Sequence, residues 1–119
     1  MIAEPLAQKA GYIIKAHFIR ERRIAMAYVL VRLTVEDLGK WKPVFEESAA
    51  LRKKFGSMGV RAFNKADSPH EIVILGEYED VEKAKQMFQS QEFREATARA
   101  GVKGPPEVTF LNGVVDLPA

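Results

Sequence analysis

Residues Glu71–Tyr78 read Glu-Ile-Val-Ile-Leu-Gly-Glu-Tyr, and this stretch constrains the fold most tightly. Ile72, Val73, Ile74 and Leu75 are consecutive, so a strand built from them shows apolar side chains on both faces. A strand with one face in water alternates apolar and polar instead. Upstream, Lys65–His70 carries Asp67, Ser68 and Pro69 and predicts a turn, and Gly59–Asn64 alternates as a second strand. Ala27–Leu33 is short and dense in β-branched and aromatic residues, again apolar on both sides, with Tyr28 and Leu30 opposing Val29 and Val31. Downstream, Gly104-Pro105-Pro106 predicts a turn before a last strand at Val108–Leu111.

Two helices separate these strands. Thr34 is placed to cap the first, with Glu36 and Asp37 in its first turn. Leu38, Trp41, Phe45, Ser48, Leu51 and Phe55 mark one face at steps of three and four, which predicts a single amphipathic helix. Arg52, Lys53 and Lys54 suit its C-terminal dipole, and Gly56 suits the position after its end. Asp80 caps the second helix, whose inner face holds Val81, Ala84, Met87 and Phe88. The phase slips at Gln89-Ser90-Gln91 and resumes with Phe93, Ala96, Thr97 and Ala100, which predicts a break or kink, and Gly101 ends the helix. The order βαββαβ defines an α+β, ferredoxin-like domain with both helices on one face of an antiparallel sheet. Two helices cover one face only, so the second apolar face calls for a cover, and a second copy of the chain is the simplest.

Composition narrows the function classes. A length of 119 residues fits one domain, and 47% hydrophobic with 29% charged residues is the balance of a folded chain. The absence of cysteine excludes disulfides, a thiol nucleophile and thiolate metal sites. His17 and His70 alone do not make a histidine-rich zinc site, and the expectation is no metal and no cofactor. No apolar run is long enough to span a bilayer. Lys9, Lys15, Arg20, Arg22 and Arg23 against Glu4 and Glu21 give residues 1–25 a charge of +3, and the remainder carries −1. The main domain therefore lacks a basic footprint for nucleic acid. The expected setting is cytoplasmic, without membrane or nucleic-acid partners. Leu6, Ala10, Ile13, Ile14 and Phe18 recur at helical spacing, so residues 1–25 read as a basic amphipathic helical extension and residues 26–119 as the domain. Met26, at the head of the first strand, is a candidate translational start.

Between about residues 26 and 112 the chain resembles the dimeric α/β-barrel superfamily, in particular small bacterial proteins of the cyclase-like and antibiotic-biosynthesis-monooxygenase-like kind. The resemblance rests on Asp37-Leu-Gly-Lys-Trp41-Lys-Pro-Val-Phe45, on Glu77-Tyr78-Glu79-Asp80, and on Ala100-Gly101-Val102-Lys103-Gly104-Pro105-Pro106-Glu107. It implies a homodimer whose two sheets enclose a cavity. Polyketide cyclases and haem-degrading monooxygenases share the fold, but the latter use a helical histidine, and neither domain helix here contains one.

Strand parity nominates the site. If Val29, Val31 and Leu33 face the helices, then Tyr28, Leu30 and Arg32 face the cavity, together with Val73, Leu75 and Glu77. Arg32 and Glu77 are expected to pair across neighbouring strands as catalytic residues, with Glu77 as general base. Tyr28, Arg61 and Phe63 are the expected ligand-binding residues on that side, and Trp41 is expected to line the cavity mouth. A cation, a carboxylate and aromatic walls suit a planar phenolic or carboxylate compound. The alternatives are a structural Arg32–Glu77 ion pair at the dimer seam and a Trp41 that is simply core. Ser48 and Ser90 have no histidine partner at a recognisable spacing. Two function classes follow: a cofactor-independent small-molecule enzyme, monooxygenase-like or cyclase-like, or a non-catalytic small-molecule-binding or protein-interaction module. RNA binding through the sheet ranks last, because the third strand is acidic where a basic-aromatic signature belongs.

Overall fold

The computed structural model describes residues 26–119, and the expected helix within residues 1–25 lies outside the described residues. Four strands and two pairs of helical segments follow in the order β1 (Ala27–Val35), α1 (Leu38–Glu47), α2 (Ala49–Lys54), β2 (Ser57–Lys65), β3 (Ser68–Tyr78), α3 (Val81–Gln89), α4 (Gln91–Arg99) and β4 (Val102–Asn112). The strands form one sheet in the order β2-β3-β1-β4, with β3 antiparallel to both β1 and β2. This is the expected ferredoxin-like α+β arrangement. Residues 27–111 form one compact unit.

Alternation along β1 and β3 follows the predicted parity. Val29, Val31, Ile72, Ile74 and Tyr78 are buried with Trp41, Ala84 and Met87 from the helices. Leu33, Val60, Val108 and Phe110 pack against this core from the sheet. Gly76, also on the core face, is where a strand would normally carry a side chain. A Cβ built there would stand 2.9 Å from Cε2 of Tyr78, so the ring lies across the glycine and a larger residue would have to displace it.

The structure departs from expectation at three points. The first helix is capped by Asp37, whose carboxylate accepts from Gly39 N at 2.9 Å, while Thr34 belongs to β1. It is also interrupted at Ser48, where the Ser48 hydroxyl donates to Val44 O at 2.7 Å. Such back-bonding bends helices, and Pro43 four residues after Gly39 removes one interior hydrogen bond of α1. The break in the second helix falls where the phase slip predicts it. Ser90 is extended (ψ 152°), accepts from Phe93 N at 3.1 Å and donates to Met87 O at 2.6 Å, capping α4 while closing α3. Asp80 caps α3 as expected, accepting from Glu82 N at 2.7 Å. The third departure is in β4, which runs through the predicted Gly104-Pro105-Pro106 turn. That strand lies at the sheet edge, where a proline's missing N–H costs no ladder bond on the open side.

Each helical pair ends in a glycine with positive φ, Gly56 (85°) and Gly101 (75°). Their carbonyls accept from Glu79 N and Glu36 N, each at 3.0 Å. Each accepted N–H belongs to the residue just past a strand of the other half, so the two βαβ halves are tied reciprocally at the same end of the sheet.

Candidate functional site

The predicted site residues divide between the two faces of the sheet. Tyr28, Arg32, Arg61, Phe63 and Glu77 share the face away from the helices. Across it, Glu77 stands opposite Tyr28 and Gly59, Leu75 opposite Leu30 and Arg61, and Val73 opposite Arg32 and Phe63. The expected cross-strand pairing of Arg32 with Glu77 is corrected by this register. Arg32 lies four residues along β1 from Tyr28, the true partner of Glu77, a separation of about 13 Å at ordinary strand rise. The cation nearest Glu77 along the ladder is Arg61, its diagonal neighbour on β2. Arg61 itself lies with its guanidinium carbon 5.9 Å from the Phe63 ring centroid, and Phe63 is 51% exposed. Leu30, Val73 and Leu75 make the middle of this face apolar, as the two-sided strand pattern requires.

Trp41 lies on the other side. It lines a pocket between the sheet and the helices that encloses about 80 Å³ open to the centres of water-sized molecules. One water needs only about 10–15 Å³ on that measure. Val29, Val31, Ile74 and Gly76 form the sheet side, and Met87, Phe88, Phe93 and Ala100 close it from the second helical pair. Gly76 gives this wall bare backbone, and the Tyr78 ring lies across it.

One stripe of the first helical pair supplies the remaining wall. Trp41, Phe45, Ser48 and Arg52 follow at intervals of four, three and four, one above the other on a single helical face. Trp41 and Phe45 stack at 4.7 Å with 20° between their planes. The Arg52 guanidinium carbon lies 4.3 Å from the Phe45 ring centroid, and Nη1 donates to Phe45 O at 2.7 Å. Tyr78 reaches the same pocket from β3, its hydroxyl 3.6 Å from Met87 Sδ, a weak acceptor. Burial pushes the Tyr78 phenol above its usual range, with the Arg52 charge pulling the other way. Burial likewise holds the Arg52 guanidinium below its usual value, opposed by Tyr78. The two groups therefore sense each other inside a largely apolar enclosure.

Sequence patterning places Arg52 at the helix end as a dipole partner and does not bring it into a site. The available signal is its spacing from Trp41, which puts an arginine on the apolar stripe. Gly76 offers a second signal, a glycine on the core face of an otherwise β-branched strand. His70 is exposed on β3, and among the described residues no group of histidine, aspartate and glutamate is arranged to hold a metal ion. Among them, too, no helix is long and apolar enough to cross a membrane.

No protein-family model and no curated protein matches the sequence. Solved structures do match in shape. A candidate antibiotic biosynthesis monooxygenase from Bordetella bronchiseptica is 18% identical at a TM-score of 0.65, covering 76% of this chain and 98% of its own. A cofactor-independent oxygenase from Streptomyces nogalater is 15% identical at 0.66, covering 79% and 98%. A monooxygenase from Streptomyces coelicolor, solved with the ligand nanaomycin D, is 18% identical at 0.58, covering 81% and 95%. At such identities the likeness is one of fold: the chain has the ferredoxin-like α+β fold found in these monooxygenase-type structures.

Proposed function

We propose that the protein is a monooxygenase-like enzyme that binds a planar aromatic small molecule in the helix-side pocket and oxidises it with molecular oxygen, without a cofactor of its own. The carrying observation is the apolar pocket walled by the Trp41–Phe45 stack and provided with the Arg52 and Tyr78 polar groups. The fold of a cofactor-independent oxygenase and of a ligand-bound monooxygenase supports the same reading. Without flavin, haem or metal, the electrons that reduce oxygen come from the substrate. That requires an electron-rich aromatic compound, and a phenol illustrates the balance: one hydroxyarene and one O₂ give one quinone and one water. Trp41 and Phe45 hold the ring flat, and the enclosure keeps bulk water from the reactive form.

The second apolar face fits this proposal as the seat of a second copy, sheet against sheet, with Leu30, Val73, Leu75 and Phe63 in the seam. Under this proposal Glu77, Arg32, Arg61 and Tyr28 belong to that seam, and the reacting ring lies on the opposite side of the sheet. The test is oxygen uptake with anthrone, whose oxidation to anthraquinone consumes one O₂ and releases one water. The expected result is uptake above the protein-free rate, lost in Trp41→Ala and retained within about twofold in Glu77→Gln. Uptake abolished by Glu77→Gln and untouched by Trp41→Ala would move the site to the opposite face.

A further inference from the structure

Among the described residues twenty line the pocket and none carries a carboxylate. Among the described residues Arg52 is its one cation, half-buried, and no acid among them lies within ion-pair distance of it. Half-buried charge without a partner is costly, and a folded chain normally compensates it or swings it into water. Here the guanidinium is instead held in place, stacked on Phe45 and tied through Nη1 to the Phe45 carbonyl. A guanidinium carries five N–H donors in a rigid fork. The bond to Phe45 occupies one edge, and no second acceptor meets the fork among the described residues. Among the described residues the Tyr78 hydroxyl meets only a thioether, an acceptor that any oxygen anion outcompetes.

We propose that Arg52 is an oxyanion anchor, so that the pocket takes an aromatic molecule through one ionised oxygen, a phenolate or enolate, with the Tyr78 hydroxyl as the second donor. This rests on the pocket being the ligand site and adds to it the charge of the ligand. It also gives the anchor a chemical role. Holding the substrate as its anion places the electron pair on the ring that must reduce oxygen, and the apolar walls strengthen the Arg52–anion attraction over its value in water. The aromatic stack of Trp41, Phe45 and the guanidinium aligns ring recognition and anion recognition along one helical stripe.

The chain's single tryptophan is Trp41, so its fluorescence reports pocket occupancy directly. Two probes are compared on the full chain: para-nitrophenol, whose phenolate is yellow, and naphthalene, which is flat and neutral. The expected result is saturable quenching of Trp41 by both, with bound para-nitrophenol titrating about one unit lower than free. That is about a tenfold rise in the phenolate-to-phenol ratio. Arg52→Gln and Arg52→Met should still bind naphthalene within about twofold, which also shows that they fold. They should shift bound para-nitrophenol the other way, toward the neutral phenol. Quenching by both probes with an unchanged or raised nitrophenol pKa in the wild type, or with the same lowering in both variants, overturns the anchor and leaves the pocket. Quenching by naphthalene alone likewise overturns the anchor and leaves the pocket, whereas failure of both probes to perturb Trp41 overturns the two together.

Discussion

Gly76→Ala is the most informative single change, because its sign depends on a contact that only the folded structure creates. The added Cβ would stand 2.9 Å from Cε2 of Tyr78, inside normal contact distance. The ring cannot easily retreat: Tyr78 is 3% exposed, is tilted against Phe88 at 6.4 Å, and has its hydroxyl on Met87. Overpacking of this kind costs about 1–3 kcal/mol, net of the new methyl group's own burial. Against that, alanine narrows the unfolded ensemble and stabilises by about 0.4–1 kcal/mol. The balance is a loss of about 1–2 kcal/mol. With an m-value of about 1–2 kcal/mol/M, the urea midpoint should fall by about 1 M. Equilibrium urea unfolding followed by far-ultraviolet circular dichroism measures it. The control is Tyr78→Leu, which lacks the ring edge, and in that background Gly76→Ala should be neutral or mildly stabilising. An unchanged or higher midpoint for Gly76→Ala alone would refute the close approach of ring and backbone.

Tyr78 should also set an alkaline limit. Its proton is held more tightly folded than unfolded, so its contribution is complete below the ordinary tyrosine value of 10.0 and is lost as pH climbs past it. Tyr78→Phe should therefore lose less stability than wild type between about pH 9 and pH 11, read as the slope of urea midpoint against pH. Sedimentation equilibrium at micromolar concentration should give twice the 13.3 kDa chain mass, and Leu75→Arg should shift it toward the monomer by placing an uncompensated charge in the seam. A clean wild-type monomer would remove the sheet-to-sheet proposal. The chain started at Met26 should keep a cooperative thermal transition, since all eight described elements lie beyond that residue, and loss of that transition would make residues 1–25 part of the core.

Local pattern was enough for the element order, for the parity of β1 and β3, and for the break between α3 and α4. Each depends on periodicity within about ten residues: side chains alternate along a strand, and a helical phase slip shows wherever it occurs. The Asp37 cap, the Ser48 interruption and the strand through Pro105-Pro106 were less legible, because each turns on a competition between neighbours that pattern alone does not rank. Tertiary structure alone decided the register that separates Arg32 from Glu77. Parity says which face a residue shares, whereas its partner is set by how two distant segments slide into alignment. It also decided that the enclosure formed by this chain lies under the helices. Trp41, Gly76, Tyr78 and Arg52 span 38 residues of sequence. They meet only because the first helical pair and β3 line one pocket, where the bare backbone of Gly76 lets the Tyr78 ring lie across it.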